Sequence, residues 1–589
     1  MHLVTKRIKG GEYYYLVQKE RQGQRVVTAR TVYVGDRQKL ASLIEAAASS
    51  SLPATFTSQE VGASLALASL AGELGLEQLI DEVCPRRVGA VSLGRRLLVA
   101  AIHRATAPKR RNSLMSLRAA FESSALADLL PLDPGSLDNR RMCEALASLS
   151  PRDVEAIESA VVKRVVEREG LETKALAFDC SNFDSYAEAR TPSRLLRRGH
   201  NKSGKPLRVL GLGVLVTEED GIPLLTFAYP GNENDVTAFG RFLMALDRRR
   251  DMLDIPFEAT VAADGGNISR QMLLRLEKGP RYYVLRLPSR HVELPAIKSA
   301  DLPALGGTLK GKVYAQKHTC NVYGIQRCVL DVYSKRMHRR QLPGLKRDRD
   351  RARKDLEYLQ RLLNDQAAGK RKQKPLTVAA VKRRVEKALS REHMTDLFVT
   401  RVEKGRSAPI LTVEESTAAW RHLEEHVLGR TRLVTNRADW SPEQIVHASR
   451  VQSHNESLFR ELKDPGGVSM LPLRHRRDKA LRGIALVVVL GLMLAKVTQR
   501  RLRLAKVAAP SLSSLLDDLR AVQRAQVQYG PDAPPALRSL AVGHWIPSQR
   551  TERQARMLEA LKLAERRELG TTLASTLSGS SARRARRRT

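Results

Sequence analysis

The chain has 589 residues and sets 101 Lys and Arg against 63 Asp and Glu, a net charge of +38. On a rough scale of 100–200 residues per domain this is room for three or four domains. The cation excess, spread along the chain and piled into the closing ARRARRRT, predicts a polyanionic partner such as nucleic acid, bound with a steep salt dependence. The five cysteines, Cys84, Cys143, Cys180, Cys320 and Cys328, are odd in number and irregularly spaced, which argues against a disulfide framework and for the cytoplasm.

His318, Cys320, Cys328 and His338 lack the compact paired spacing of a structural zinc site. The start MHLVTKRIKGGEYYYLV has no apolar core followed by a small-residue cleavage site, so secretion is not expected.

In chain order, residues 1–50 open with two β-rich runs broken at RQGQ, which predicts a small hairpin. Residues 51–170 turn helical, in VGASLALASLAGELGLEQLIDEV, SLGRRLLVAAIHRA and PRDVEAIESAVVKRVVERE, with basic residues at Arg95, Arg96, Lys109, Arg110 and Arg111. This region is expected to be either a helical DNA-binding unit or a plain bundle, since no helix-turn-helix signature stands out.

Residues 171–290 change character. KALAFDCSNF is a short apolar run ending in Asp179, and RVLGLGVLV and IPLLTFAY flank TEEDG, a hairpin signal built on Asp220 and Gly221. A helix capped by Asn234 or Asp235 follows, then the strand EATVAADGG ending in Asp264, a short helix and the strand YYVLRL. The order predicts a mixed α/β sheet with acids at strand ends.

Residues 291–435 read as a β-rich insertion, with GKVYAQKH, IQRCVLDVYS and TRLVTN around a charged helical hairpin at about 343–393. Leu356, Leu359 and Leu363 form the narrow apolar stripe of that hairpin. Residues 436–505 hold SHNESLFRELKD, in which Glu456, Phe459, Arg460 and Lys463 share one helix face. They also hold IALVVVLGLMLA, an apolar run shorter than the roughly 20 residues of a membrane span and therefore expected as a buried helix. Residues 506–589 are expected to be helical or loose, with a basic disordered tail.

Asp179 and Asp264 end strands of one predicted sheet, and a helix after the last strand can bring Glu456 beside them. Three converging carboxylates are costly unless cations neutralise them, and hard oxygen donors suit magnesium or manganese. Two such ions roughly 4 Å apart serve in-line phosphodiester displacement. A surface helix with a Glu456–Arg460 pair is the plainer alternative.

These motifs, taken in order, resemble the DDE transposases of bacterial insertion sequences, especially insertion-sequence family four and its relatives. LAFDCSNF looks like that family's first-aspartate strand, and the hairpin leads to a signature at Gly231, Asn232 and Asp235. TVAADGGNIS is similar to the second-aspartate strand, HNESLFRELKD to the glutamate helix with Glu456 and Lys463 at the family's interval, and RHRRDKALRGIALVVVLGLMLA to the helix after it. The resemblance covers about 174–290 and 429–498, with weaker similarity at the N-terminus. It implies an α/β, RNase H-like core interrupted by the β-rich insertion, with two Mg2+ or Mn2+ ions on Asp179, Asp264 and Glu456. It also implies double-stranded DNA, as element ends and target, as partner of a homodimer in a synaptic complex. Water would attack at the element's ends and the released 3′-hydroxyl would attack target DNA, with a hairpin intermediate open to the family.

Where the family has Tyr and Arg before the glutamate, this chain has Ser449 and Gln452, with Arg450 as a substitute and His454 nearby. By the same resemblance Lys463 holds a terminal phosphate, and Arg450, Gln452, Arg460, Asn232 and Asp235 are candidate DNA contacts. Cys180, Asp184, His200 and Lys202 lie near the expected site without an assigned chemistry. An RNase H-like nuclease without strand transfer and a non-catalytic DNA-binding descendant are the alternatives.

Overall fold

A computed structural model of the chain describes all residues except 1, 9–10, 23–24, 49–54, 89–90, 108–112, 189, 200–205, 254, 257, 265–267, 279–280, 289–291, 293, 372–373, 465, 509–510, 530–544 and 571–589. Lys109, Arg110 and Arg111, His200, Lys202 and the basic tail therefore lie outside the described residues. Two units are present. The first comprises Met1–Thr173, Asp179–Pro256 and Ser453–Thr589, and the second Lys174–Phe178 and Phe257–Gln452.

The first unit is organised by its most apolar segment. The helix Asp478–Leu504 has 27 residues, longer than the apolar run alone suggested, because charged turns at both ends continue the helical bonding. By length and composition it could cross a membrane, but 94% of its most apolar window is buried in the protein. The helices Gly62–Glu73, Leu93–Thr106, Asn139–Ser148 and Pro151–Glu169 and the strand Pro223–Pro230 pack against it. Each large aliphatic side chain so buried contributes about 1.5–3 kcal/mol. Gly491 permits the closest approach, since a Cβ there would lie 2.5 Å from the Ala101 carbonyl oxygen.

Local sequence explains the ends of these elements. Ser150 and Asp153 form a reciprocal capping box, Pro151 occupies the first turn, and Gly170 at φ 59° closes the Pro151–Glu169 helix. Asp220–Gly221 makes the predicted hairpin between Arg208–Thr217 and Pro223–Pro230, with Gly221 at φ 62°. Asn234 is the cap of Asp235–Arg249, its side chain accepting from the Thr237 N–H at 2.8 Å.

One expectation for this unit is extended and another corrected. The expected N-terminal hairpin is present as Gly11–Gln22 paired antiparallel with Arg25–Asp36, but His2–Ile8 extends it to a three-stranded antiparallel sheet. The region after 506 is not merely helical or loose: Gln523–Gln528 pairs antiparallel with Thr55–Glu60, a partnership between distant segments that no local pattern signals.

The strand Ala175–Ser185 gives its first residues to the second unit and the rest to the first. Within the second unit, Ala175–Phe178 pairs in parallel with Thr260–Ala263, which pairs in parallel with Tyr282–Leu287. Arg430–Thr435, Ile325–Ser334 and Val313–Val322 extend the ladder in antiparallel fashion. Strands expected in a separate β-rich insertion thus continue this ladder, while Phe398–Glu403 and Ile410–Glu415 form a hairpin of their own. The helix Pro442–Arg450 packs across the ladder.

The charged helical hairpin pairs Lys335–Ala367 with Val378–Ala388. Its first helix starts earlier than predicted, carrying Pro343 inside it at the loss of one backbone hydrogen bond. The stripe at Leu356, Leu359 and Leu363 is buried as expected, against Val381, Val385 and Leu389.

Candidate active site

The parallel register between Ala175–Phe178 and Thr260–Ala263 ends with the pair Phe178 and Ala263. In sequence, Asp179 follows Phe178 and Asp264 follows Ala263. Asp264 follows the end of its strand, as predicted, but Asp179 lies inside a strand that continues to Ser185. The apolar run stops at Asp179, whereas the backbone bonding does not, and pattern alone does not separate the two.

Asp264 is exposed, and the Arg286 guanidinium reaches it at 3.7 Å. Leu285 is the register partner of Ala263, so parallel pairing sets Arg286 alongside Asp264. An exposed pair of this length adds little stability, but it places a cation at the carboxylate. Sequence reasoning missed Arg286; the signal was one charge in the otherwise apolar YYVLRL.

Asp179 is half-buried, and its Oδ1 accepts the Cys180 N–H at 2.7 Å. Burial first, then the Asp179 charge, pushes the Cys180 thiol well above its usual range, and Asp235 adds to the effect. The Tyr229 hydroxyl is likewise raised, by burial first and then by Cys180, Asp235 and Asp179. Both groups stay protonated at neutral pH, so neither supplies an anionic nucleophile. Asp235, carried from the resemblance, is brought to the Asp179 neighbourhood, and Asn232 is exposed in the turn before it. Gly231 has a steric reason: a Cβ there would lie 2.1 Å from the Val209 carbonyl oxygen.

The helix Gln452–Lys463 places a line of side chains along the strand Ala175–Ser185. The Gln452 amide donates to the Phe178 carbonyl at 3.0 Å. Phe459 is buried with its ring 6.4 Å from that of Phe183. Lys463 donates to the Ser181 hydroxyl and stands 5.2 Å from the centre of the Phe183 ring. Glu456 belongs to this line by its i, i+3, i+7 spacing and is itself exposed.

The remaining candidates are distributed around this helix. Arg460 is exposed and lines a cleft of about 590 Å³ with Asp220, His454, Glu461 and Lys496. Burial, reinforced by Lys496, holds the His454 imidazole below its ordinary value. The Ser449 hydroxyl donates to the Val446 carbonyl of its own helix at 2.8 Å. Partial desolvation, and then the like charge of Arg336, lowers the Arg450 guanidinium. Among the described residues, no three His, Cys, Asp or Glu side chains are gathered closely enough to form a metal-holding cluster.

The family model of the transposase DDE domain matches residues 187–492, just over half of the chain. The chain belongs to the DDE transposase family. No curated protein matches it. The activity of this DDE transposase is therefore transposition, and its substrate is DNA. The matched stretch of the transposase takes in Asn232, Asp235, Asp264, Glu456 and Lys463 and begins a few residues beyond Asp179.

Proposed function

We propose that this transposase cuts DNA at the ends of a bacterial insertion sequence and joins the freed 3′-hydroxyls to target DNA, with Asp179, Asp264 and Glu456 as its metal-binding catalytic acids. One bracketing of contacts carries this assignment. Gln452 and Lys463 lie on either side of Glu456, and their strand partners, Phe178 and Ser181, lie on either side of Asp179. Asp264 is added to them from the order of the motifs, as the residue that follows the strand Thr260–Ala263. An antiparallel hairpin after the first-aspartate strand, then two further strands in parallel register, supports an RNase H-like core.

By donor chemistry the three carboxylates suit Mg2+ or Mn2+. All three groups are hard carboxylate oxygens, Asp264 and Glu456 are exposed, and Arg286 holds Asp264 only loosely at 3.7 Å. When bound, such ions neutralise the acids and assist both the attacking and the leaving oxygen of an in-line displacement. Lys463 supplies a positive charge for a DNA phosphate, and Arg286 partly neutralises Asp264. Gln452 holds the strand that carries Asp179. A homodimer that synapses two element ends is the working assembly.

Ser449 and Gln452 are engaged by protein groups, which favours as second reading a descendant that binds DNA without cutting it. A labelled duplex carrying the element's flanking repeat, incubated with protein and magnesium, tests both. The wild type is expected to cleave at the repeat boundary and to join the product to a second duplex. Asp179→Asn, Asp264→Asn and Glu456→Gln are expected to bind without cutting. Unaltered cleavage by any of these variants overturns the assignment of that acid. Cleavage without joining indicates a nuclease, and binding without cleavage by the wild type indicates the descendant.

A further inference from the structure

The first half of the insertion helix Lys335–Ala367 differs in charge from the second. From Lys335 to Arg347 the helix contains no Asp or Glu, and Lys335, Arg336, Arg339, Arg340, Lys346 and Arg347 are all solvent-accessible. At 100° per residue, Arg336, Arg340 and Arg347 form one row, continued by Arg351 and Lys354, and Lys335, Arg339 and Lys346 form the row beside it. The row from Arg336 to Lys354 is about 27 Å long at 1.5 Å per residue. Further along, acids return with partners: Asp348 pairs with Arg391, and Asp350 with Arg349 at 3.1 Å and Arg353 at 3.5 Å.

A merely solvated helix face has no reason for this asymmetry. Like charges at i, i+4 each cost a few tenths of a kcal/mol, and cations in the first turns oppose the helix dipole. The base of the row is also rigidly held. Ser334 caps the helix, the Ser334 N–H donates to the Gly429 carbonyl at 2.9 Å, and the Gly429 N–H donates to the Gln341 side chain at 2.8 Å. Gly429 is required there: its φ is 76°, and a Cβ would lie 2.9 Å from His338, Ser334 and Tyr333 atoms. Arg450 is exposed at the end of Pro442–Arg450, just ahead of the glutamate helix, and after desolvation the like charge of Arg336 contributes to lowering its pKa.

We propose that the cationic rows at Lys335–Lys354, together with Arg450, form a track for the phosphate backbone of double-stranded DNA. The track deepens the transposase reading by assigning the insertion helix a part in holding the duplex. It reads phosphates and not bases, and so acts on any sequence.

The test is binding of the full chain to a labelled random-sequence duplex at a series of KCl concentrations. Arg336→Gln/Arg339→Gln/Arg340→Gln is compared with Lys382→Gln/Arg383→Gln/Arg384→Gln, which removes the same charge from exposed positions of Val378–Ala388. Each phosphate that is no longer neutralised lowers the slope of log K against log[salt] by about 0.9. The first variant is expected to lose about 2–3 in slope and at least tenfold in affinity at low salt, and the second clearly less. Equal changes in the two variants, or an unchanged slope in the first, overturn the track. Weakened self-association with an unchanged slope assigns the rows to a protein partner and also overturns it. A wild type without salt-dependent binding overturns the track and the DNA transposase reading together, whereas wild-type binding with an unaffected first variant overturns the track alone.

Discussion

Replacing Gln452 by Leu keeps the volume of the side chain and removes the donor that reaches the Phe178 carbonyl at 3.0 Å. A neutral hydrogen bond of this kind has a net worth of about 1 kcal/mol, and stranding the acceptor can raise the cost toward about 2 kcal/mol. This corresponds to about 5–30-fold in the population of the held strand. Because the bond fixes the residue before Asp179, the loss is expected in the chemical step, where a displacement of about 1 Å can cost about 100-fold. Single-turnover cleavage of a saturating repeat-end duplex, measured beside the equilibrium affinity for the same duplex, separates the roles. A positioning residue lowers the cleavage rate about 5–100-fold and leaves affinity within about twofold. Weakened binding with an unchanged single-turnover rate would refute this account and make Gln452 a DNA contact, as its place in the family pattern implies.

Glu158 and Arg249 form an ion pair at 2.7 Å with both side chains 2% exposed, and Glu158 also accepts from Thr226. Glu158→Ala strands a buried guanidinium, an expected loss of about 3–5 kcal/mol, visible as a fall of several degrees in the thermal unfolding midpoint; an unchanged midpoint contradicts the pairing. Glu60 accepts from the Ala63 and Ser64 N–H groups, and its pKa is pushed up to about 7, with burial as the largest cause. Between the ordinary carboxyl value and about 7, the unfolded chain gives up this proton while the folded chain keeps it, so wild-type stability falls as pH rises through that window. Glu60→Gln, which does not titrate, is expected to gain in midpoint relative to wild type between about pH 4.5 and pH 7.5; a constant difference across that range argues against the shift.

Local pattern was enough to place several candidate residues on their elements. The i, i+3, i+7 line through Glu456, Phe459 and Lys463, the Asp220–Gly221 turn, and the apolar strands leading to Asp179 and Asp264 depend on near neighbours in the chain. Their spacing is therefore written in short stretches of residues. The order of these motifs also carried the transposase resemblance, which the family match over 187–492 upholds.

Tertiary structure decided what those residues meet. That Gln452 serves the Phe178 carbonyl, that Asp235 acts on Cys180, that Arg286 stands at Asp264, and that the charge of Arg336 acts on Arg450 are relations between segments that are not neighbours in sequence. They depend on packing and on register, which is fixed when a whole apolar face is buried and the turns are in place, and no single segment displays its distant partner. For the same reason the strands at Val313–Val322 and Ile325–Ser334 joined the main ladder, and Gln523–Gln528 found Thr55–Glu60. Residue type and spacing determined which groups are candidates for chemistry; long-range pairing determined which neighbours set their charge and hold them in place.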